Sequence, residues 1–420
     1  MFLVTLLGLN ACSGDPAPAP PARDAGPRDG ASDVVANDAP QCVGSSEQPA
    51  PRADVAGAFD PTTGTLYMFG GDTGPTVNCI PQPSFSDETW AYDTRCDRWG
   101  RVTDEAHPSA RSRSASTFDT RRRRLVVFGG RFRAGTSGNY TLLRDLWAFD
   151  AARGRWEELT PASGASPVAR SNASLVYDAE TDSVLLFGGN TSTSGLSFAP
   201  RNDTWAFDFA TGAWRQVTTT NAPTTRLFHA ATVVGRSMVV FGGGGANAFM
   251  GPFYDDLWRL DLATGAWSEV TLRGDVFALA GRISSGLVAA PSGDAVIVVG
   301  GHDDGSLGNR NDVVSIALDG MVSVRREGDI LNRAGAGFCD FPADFTSTDQ
   351  DSPERRSAFL LGVDATRNRV LVYGGKTDCG TAGDVWSLDL MSHTWRSLRG
   401  TTDGLSCQRS GRENCRSLCQ

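Results

Sequence analysis

The chain has 420 residues, 40% hydrophobic and 21% charged, with a net charge of -9. That acidic balance excludes a binder that gains affinity by setting Lys and Arg against nucleic-acid phosphates. A single lysine, Lys376, stands among the basic residues, and the length alone does not separate one large all-β unit from two or three domains.

The first apolar run, residues 1–9, is shorter than the roughly 20 residues that cross a bilayer, and it fits the core of a signal peptide. It leads into Leu9-Asn10-Ala11-Cys12, which resembles the lipobox of bacterial lipoproteins. The resemblance implies cleavage before Cys12 and acylation of its thiol, and Ser13 after it favours the outer membrane. An ordinary secretory signal with an incidental cysteine is the other reading. Residues 13–51 are rich in Pro, Ala, Asp, Gly and Ser and nearly free of large apolar side chains. Such a segment buries too little surface to offset its ordering entropy, so a flexible spacer is expected. The expected location is therefore the bacterial cell envelope, with the head tethered or secreted and touching a membrane only through a lipid.

From residue 52 to 399 the sequence repeats. An apolar run ending in Gly-Gly occurs at Gly70, Gly129, Gly188, Gly242, Gly300 and Gly374, with first glycines 59, 59, 54, 58 and 74 residues apart. An arginine precedes the pair by 18 residues in five repeats (Arg52, Arg111, Arg170, Arg282, Arg356) and by 16 in the fourth (Arg226). A variable loop follows each pair, then an acid (Glu88, Asp145, Asp203, Asp256, Asp312, Asp384). Two residues after the acid comes a Trp, and nine later a second: Trp90/Trp99, Trp147/Trp156, Trp205/Trp214, Trp258/Trp267 and Trp386/Trp395. Only the fifth repeat lacks them, with Val314 and Ser323 in the two slots.

Six copies in register resemble the kelch motif. The resemblance implies a six-bladed β-propeller of the galactose oxidase and kelch type, all-β, with four antiparallel strands per blade around a channel. The residues agree without it. In the third repeat, runs at 173–177, 184–187, 204–207 and 214–217 are rich in β-branched and aromatic residues, and turn residues separate them. Glycine is wanted where the second strand ends, because positive φ and close backbone approach need it. The tryptophans supply apolar area between blades.

After Cys12, eight cysteines remain: Cys42, Cys79, Cys96, Cys339, Cys379, Cys407, Cys415 and Cys419. An even number in an exported chain predicts a disulfide framework, one of 105 connectivities. All belong to repeats 1 and 6, their approaches, or the tail 400–420. In a closed ring these meet at one seam, and no repeat is split for strand exchange. Disulfides are accordingly expected to staple the seam, each contributing about 2 to 4 kcal/mol, with Cys339–Cys379 the first choice and the tail as a latch. The four histidines fall at unrelated repeat positions, no metal site or cofactor is expected, and His302-Asp303-Asp304 reads as a polar loop. Neither a Gly-x-Ser-x-Gly elbow nor a P-loop is present.

Candidate ligand-binding residues are the recurring Arg52, Arg111, Arg170, Arg226, Arg282 and Arg356, whose forks suit an anion. Pairing within each repeat with the matching acid is the competing expectation. The loops after each Gly-Gly lie on one face and carry Phe132, Tyr140, Phe198, Phe249 and Tyr254, and the longest insertion, 328–355, is acidic. The expected function is a monomeric, non-catalytic binding propeller that recognises a protein or glycan through this loop face. The alternatives are a carbohydrate-active enzyme resembling kelch-type sialic-acid mutarotases, and a structural envelope component. No catalytic residue is assigned.

Overall fold

In the computed structural model the described residues are 47–77, 80–303, 308–331, 345–346, 351–377 and 380–400. The signal segment with Cys12, nearly all of the spacer, most of the 328–355 insertion and the tail lie outside them. So do Cys42, Cys79, Cys339, Cys379, Cys407, Cys415 and Cys419, and with them the expected Cys339–Cys379 pair. Cys96 is disulfide-bonded.

Six sheets follow one another, each built on an antiparallel meander of four strands in sequence order, with one further strand added in the fifth. In the third blade the strands are Ser174–Asp178, Ser183–Asn190, Pro200–Asp208 and Ala213–Val217. Its turns are built from the residues read as turn formers. The Asp208 carboxylate accepts the N–H groups of Ala210 and Thr211, and Gly212 takes φ 65°. Second strands are buried along their whole length, as in Thr65–Phe69 and Ser183–Asn190, which is why they read as unbroken apolar runs. Fourth strands alternate, burying Trp214 but exposing its neighbours.

Blade contacts are made by the second tryptophan of each pair against the residue just before the Gly-Gly of the preceding blade. Trp156 meets Phe69, Trp214 meets Phe128 and Trp267 meets Phe187, with ring centroids 4.8–5.3 Å apart. At the seam Trp99 meets Tyr373 at 4.8 Å in the same way. Each such contact removes a large apolar area from water.

The fifth blade departs from the pattern. Ile316 pairs with Val322 where Phe207 pairs with Trp214 and Leu260 with Trp267. The slot thus holds Val322, not the Ser323 given by spacing, because the turn is one residue shorter. The missing indole volume is filled from the connector before the blade: Leu279 joins Val322 and Phe241 in one core cluster. The same connector adds Arg273–Gly274 as a fifth strand, parallel to the start of Met321–Arg326.

Backbone hydrogen bonds close the ring at every seam. The second glycine of each pair donates its N–H to the carbonyl of the next blade's recurring arginine: Gly71 to Arg111, Gly130 to Arg170, Gly189 to Arg226, Gly243 to Arg282, Gly301 to Arg356 and Gly375 to Arg52. Gly188 and Gly189 reach this position at φ 65° and 96°, and a Cβ on Gly188 would stand 2.9 Å from the Arg226 carbonyl. A second cycle lies two residues past the arginines. Arg113 N–H bonds the Asp54 carbonyl, Asn172 bonds Arg113, Phe228 bonds Asn172, Ser284 bonds Phe228, Ala358 bonds Ser284 and Asp54 bonds Ala358. All six residues have φ between 51° and 58°. The 6–1 seam is therefore made of the same bonds as the other five. The disulfide staples expected at this seam fall, apart from the bonded Cys96, on cysteines outside the described residues.

Candidate functional site

The six recurring arginines are inside the blades, none more than 2% exposed. Arg111 shows what its kind does. Both its terminal nitrogens bond Asp145, at 2.6 and 2.8 Å, while Nη1 also bonds the Gly129 carbonyl and Nε the Ser109 carbonyl. Arg170–Asp203, Arg226–Asp256, Arg282–Asp312 and Arg356–Asp384 repeat this fork, and Arg52 bonds Glu88 at 2.7 Å. The acid has a second partner, the indole N–H of the Trp two residues on, as in Trp147–Asp145 at 2.9 Å and Trp205–Asp203 at 2.8 Å. Here lies the reason for the acid-x-Trp spacing. In the blade without tryptophans Arg310 supplies the missing donor, its Nε lying 3.2 Å from the Asp312 carboxylate. Burial works to raise the Asp145 pKa, and the Arg111 hydrogen bonds and charge reverse this, leaving it below the usual carboxylate range. The arginine set proposed as a ligand ring is thus paired within each repeat, and its donors are turned to architecture.

The other loop candidates separate. Tyr254 covers the Arg226 guanidinium, 4.7 Å from it, and Tyr140 is buried beneath Arg131 and Arg133. Phe249 packs on Phe198 and Phe228 at 5.1 and 5.6 Å yet keeps an exposed edge.

Side chains at the centre of the loop face come from two positions that sequence reasoning missed: two residues past each recurring arginine, and one past each Gly-Gly. Blades 1, 2 and 6 place Asp54, Arg113, Arg131 and Lys376 there. Asp54 is held by Arg113 at 3.1 Å and Lys376 at 3.0 Å. Burial works to raise its pKa, but Arg113, Lys376 and Arg131 together keep it below the usual range. Arg113 extends from blade 2 to the Phe228 ring of blade 4, 4.9 Å from its centroid, while it also bonds Asp54 of blade 1. Blades 1 and 4 are opposite in a six-membered ring, so this guanidinium lies across the channel. Its Nη1 is enclosed without a hydrogen-bond partner.

Arg131 is 6% exposed and stacks 3.9 Å over the Tyr140 ring. Among the described residues it has no carboxylate within ion-pair distance, and its Nε is enclosed without a partner. Burial, then the charge of Arg113, pushes its pKa down to about 9. Blades 3, 4 and 5 answer with apolar groups: Phe198, Leu227, Phe228, Ala248 and Ile283 form a separate buried cluster, and Phe249 packs on its Phe198 and Phe228.

No group of three metal-ligating side chains is assembled among the described residues. His302 and Asp303, read from the sequence as a polar loop, instead end the strand Ala295–Asp303 of blade 5, because they pair with its third strand, and there Asp303 bonds Arg310 at 3.3 Å and His302 faces Asn309 at 3.2 Å. The nearest arrangement to a nucleophile and base is Ser174 with His229, 2.9 Å apart. Both are buried between blades 3 and 4, and burial with the Arg226 charge pushes His229 down to about 3.

Residues 135–322 match the KLHDC2/KLHL20/DRC7 Kelch-repeats domain. The chain is a six-bladed β-propeller that carries a kelch-repeat domain over those residues. Acyl-CoA-binding domain-containing protein 5 of Arabidopsis thaliana is 28% identical to the propeller chain over 280 residues, 65% of this chain and 39% of that protein. Kelch domain-containing protein 3 of Bos taurus is 32% identical over 163 residues, 36% of this chain and 40% of that protein. The chain therefore spans about two fifths of these relatives. The solved structure of YjhT superposes with a TM-score of 0.59 at 14% identity, covering 84% of this chain and 99% of that one, which speaks to the fold alone. The signal that would have found the missed positions lies in the kelch repeat itself: at fixed offsets from invariant features, Asp54, Arg113, Asn172, Phe228, Ser284 and Ala358 share no chemistry.

Proposed function

We propose that this propeller is a non-catalytic recognition module that binds a protein through the face carrying the loops after each Gly-Gly. One observation carries the reading. Among the described residues, eight large hydrophobic side chains are exposed, and six of them (Val168, Leu196, Phe249, Met250, Phe277, Ile330) belong to loops or connectors on that face. Only Met321 and Met391 are on the opposite one. Exposed apolar groups gathered on one side mark an interaction surface. Met, Leu and Val beside Phe suit protein side chains better than a sugar, which calls for flat aromatic faces bordered by polar groups.

The test is a photo-crosslinking amino acid placed at position 250 or, as a control of equal exposure, at position 391 (84% and 82% exposed). In living cells a discrete adduct is expected from position 250 and not from 391. Equal adducts, or none from 250, overturn the choice of face.

We further propose the location read from the sequence, an envelope lipoprotein acylated at Cys12 with disulfides near the 6–1 seam. The Leu9-Asn10-Ala11-Cys12 run supports the first part and the crowding of cysteines in the end repeats the second. Incorporation of an alkyne fatty acid that Cys12→Ser abolishes is the expected result.

A further inference from the structure

We infer that the cavity between blades 5 and 6, which reaches the 290–294 turn on the side away from the loops, is a binding site for a small aliphatic acid. The site is independent of the loop-face reading, since neither its residues nor its test involve the loops after the Gly-Gly pairs.

The cavity measures about 480 Å³, a volume within the range of small-molecule sites. It exists because blade 5 lacks side chains that the other blades supply. On the face of each blade that meets the next, one row of side chains crosses the second, third and fourth strands. In blades 2, 3, 4 and 6 that row includes a long charged residue, Glu157, Arg215, Arg259 or Arg396, and in blade 1 it begins with Tyr67. In blade 5 it is Ile297, Ser315 and Ser323. Two residues further along, the third strands of the other five blades end on an aspartate, such as Asp208 or Asp389, whereas blade 5 sets Ala317 opposite Ala295.

Polar groups are left over in the hollow. Ser315 is 9% exposed, and among the described residues neither its hydroxyl nor that of its cross-strand neighbour Ser323 makes a hydrogen bond. A buried hydroxyl without a partner costs free energy that a ligand acceptor recovers. Arg325, on the same face of the strand as Ser323, is exposed at the edge of the cavity and forms no ion pair among the described residues. Its charge is felt across the gap, where burial and then Arg325 lower the pKa of His393, so that this imidazole faces the cavity uncharged near neutral pH. The carboxylates nearby have other partners: Asp294 accepts the Ser292 hydroxyl, and Asp389 accepts the N–H groups of Met391 and Ser392. A carboxylate set between Arg325 and the serine pair takes up these donors, its two oxygens matching the guanidinium fork. The walls beside it are aliphatic, with Ile297, Val313 and Leu390, which suits an acyl chain.

The test is calorimetric titration of the purified full chain at neutral pH with octanoate and its uncharged counterpart octanamide. Octanoate is expected to saturate and to bind about five-fold more tightly than the amide, the ratio that one exposed ion pair supplies. Arg325→Gln brings the two to equal affinity. Ser323→Leu, which extends a side chain into the hollow, abolishes the binding of both. Thermal melts without ligand show whether the variants fold, and if Ser323→Leu melts early, Arg325→Gln, altered only at an exposed side chain, decides the question alone. Absence of saturable binding, equal affinities for acid and amide in the parent chain, or a preference that survives Arg325→Gln overturns the site, as does undiminished binding in a folded Ser323→Leu chain.

Discussion

The Ala358 carbonyl accepts the Asp54 N–H at 2.9 Å, joining the last blade to the first. It is one of six identical bonds, each between residues held at positive φ. A cycle of this kind has no end to fray, and its members depend on backbone conformation rather than side-chain identity.

Ala358 has φ 54°, a region that an L-residue enters only at a cost and that a β-branched residue strongly avoids. Ala358→Val is expected to destabilise the fold by about 1–3 kcal/mol, seen as a lower urea midpoint at unchanged slope. Ala358→Gly removes the conflict and is expected to hold the midpoint or raise it. Equal midpoints for Val and Gly would show that the cycle carries little of the closure.

The Arg–acid–Trp unit makes a sharper claim about pairing. With Arg111 1% exposed on its side chain, Asp145→Asn leaves a buried guanidinium without its anion, and the expected loss is about 3–5 kcal/mol. Arg111→Met on the Asp145→Asn background removes the stranded charge and recovers a large part of that loss. A double variant as unstable as the single one would sink the account of a buried ion pair and point to shape alone.

Blade 5 offers a test by volume. Leu279→Ala, which empties the space that fills in for the absent indole, is expected to cost about 2–5 kcal/mol. Val322→Trp alone overpacks the same cluster and destabilises by about 1–3 kcal/mol. Combined with Leu279→Ala the tryptophan regains room, so the double variant should be more stable than the sum of the two losses implies.

The contrast between these two blades also explains what could be read from sequence. Features fixed by the blade repeat were legible, the Gly-Gly pair, the arginine and the acid six times over and the tryptophan pair five, because each answers one backbone or packing requirement. Leu279 was not, because compensation comes from a connector outside the repeat and obeys no spacing. Arg113 and Arg131 were passed over for the opposite reason to the recurring arginines. Repetition drew the eye to Arg111, which the blade consumes, while the residues at the channel mouth vary from blade to blade and meet only when the ring closes. Lys376 belongs beside Asp54 for the same reason, although 322 residues separate them.

His229 supplies the pH dependence. Its unfolded pKa is near 6.5, while burial and the Arg226 charge hold the folded value at about 3. Between these limits the unfolded chain binds a proton that the folded chain refuses, so stability rises with pH across the window and falls on acidification. The slope approaches about 1.4 kcal/mol per pH unit below roughly pH 6. Burial and the Arg325 charge lower His393 as well, adding a contribution of the same sign from a more exposed site. Asp145, Asp203 and Asp384 have folded pKa values below 3.8, so their stabilisation is complete above that value and is lost only as the pH falls through it. Burial pushes the Asp303 carboxyl up, so it adds a contribution of opposite sign to the interval from pH 4.5 to 6, and the His229 contribution is read as the difference between the variant and the parent chain. His229→Gln retains a polar partner for Ser174 and is expected to flatten the urea-midpoint profile in that interval, while His393→Gln changes it less. A profile as steep in His229→Gln as in the parent chain would mean that the imidazole between blades 3 and 4 accepts its proton in the folded state.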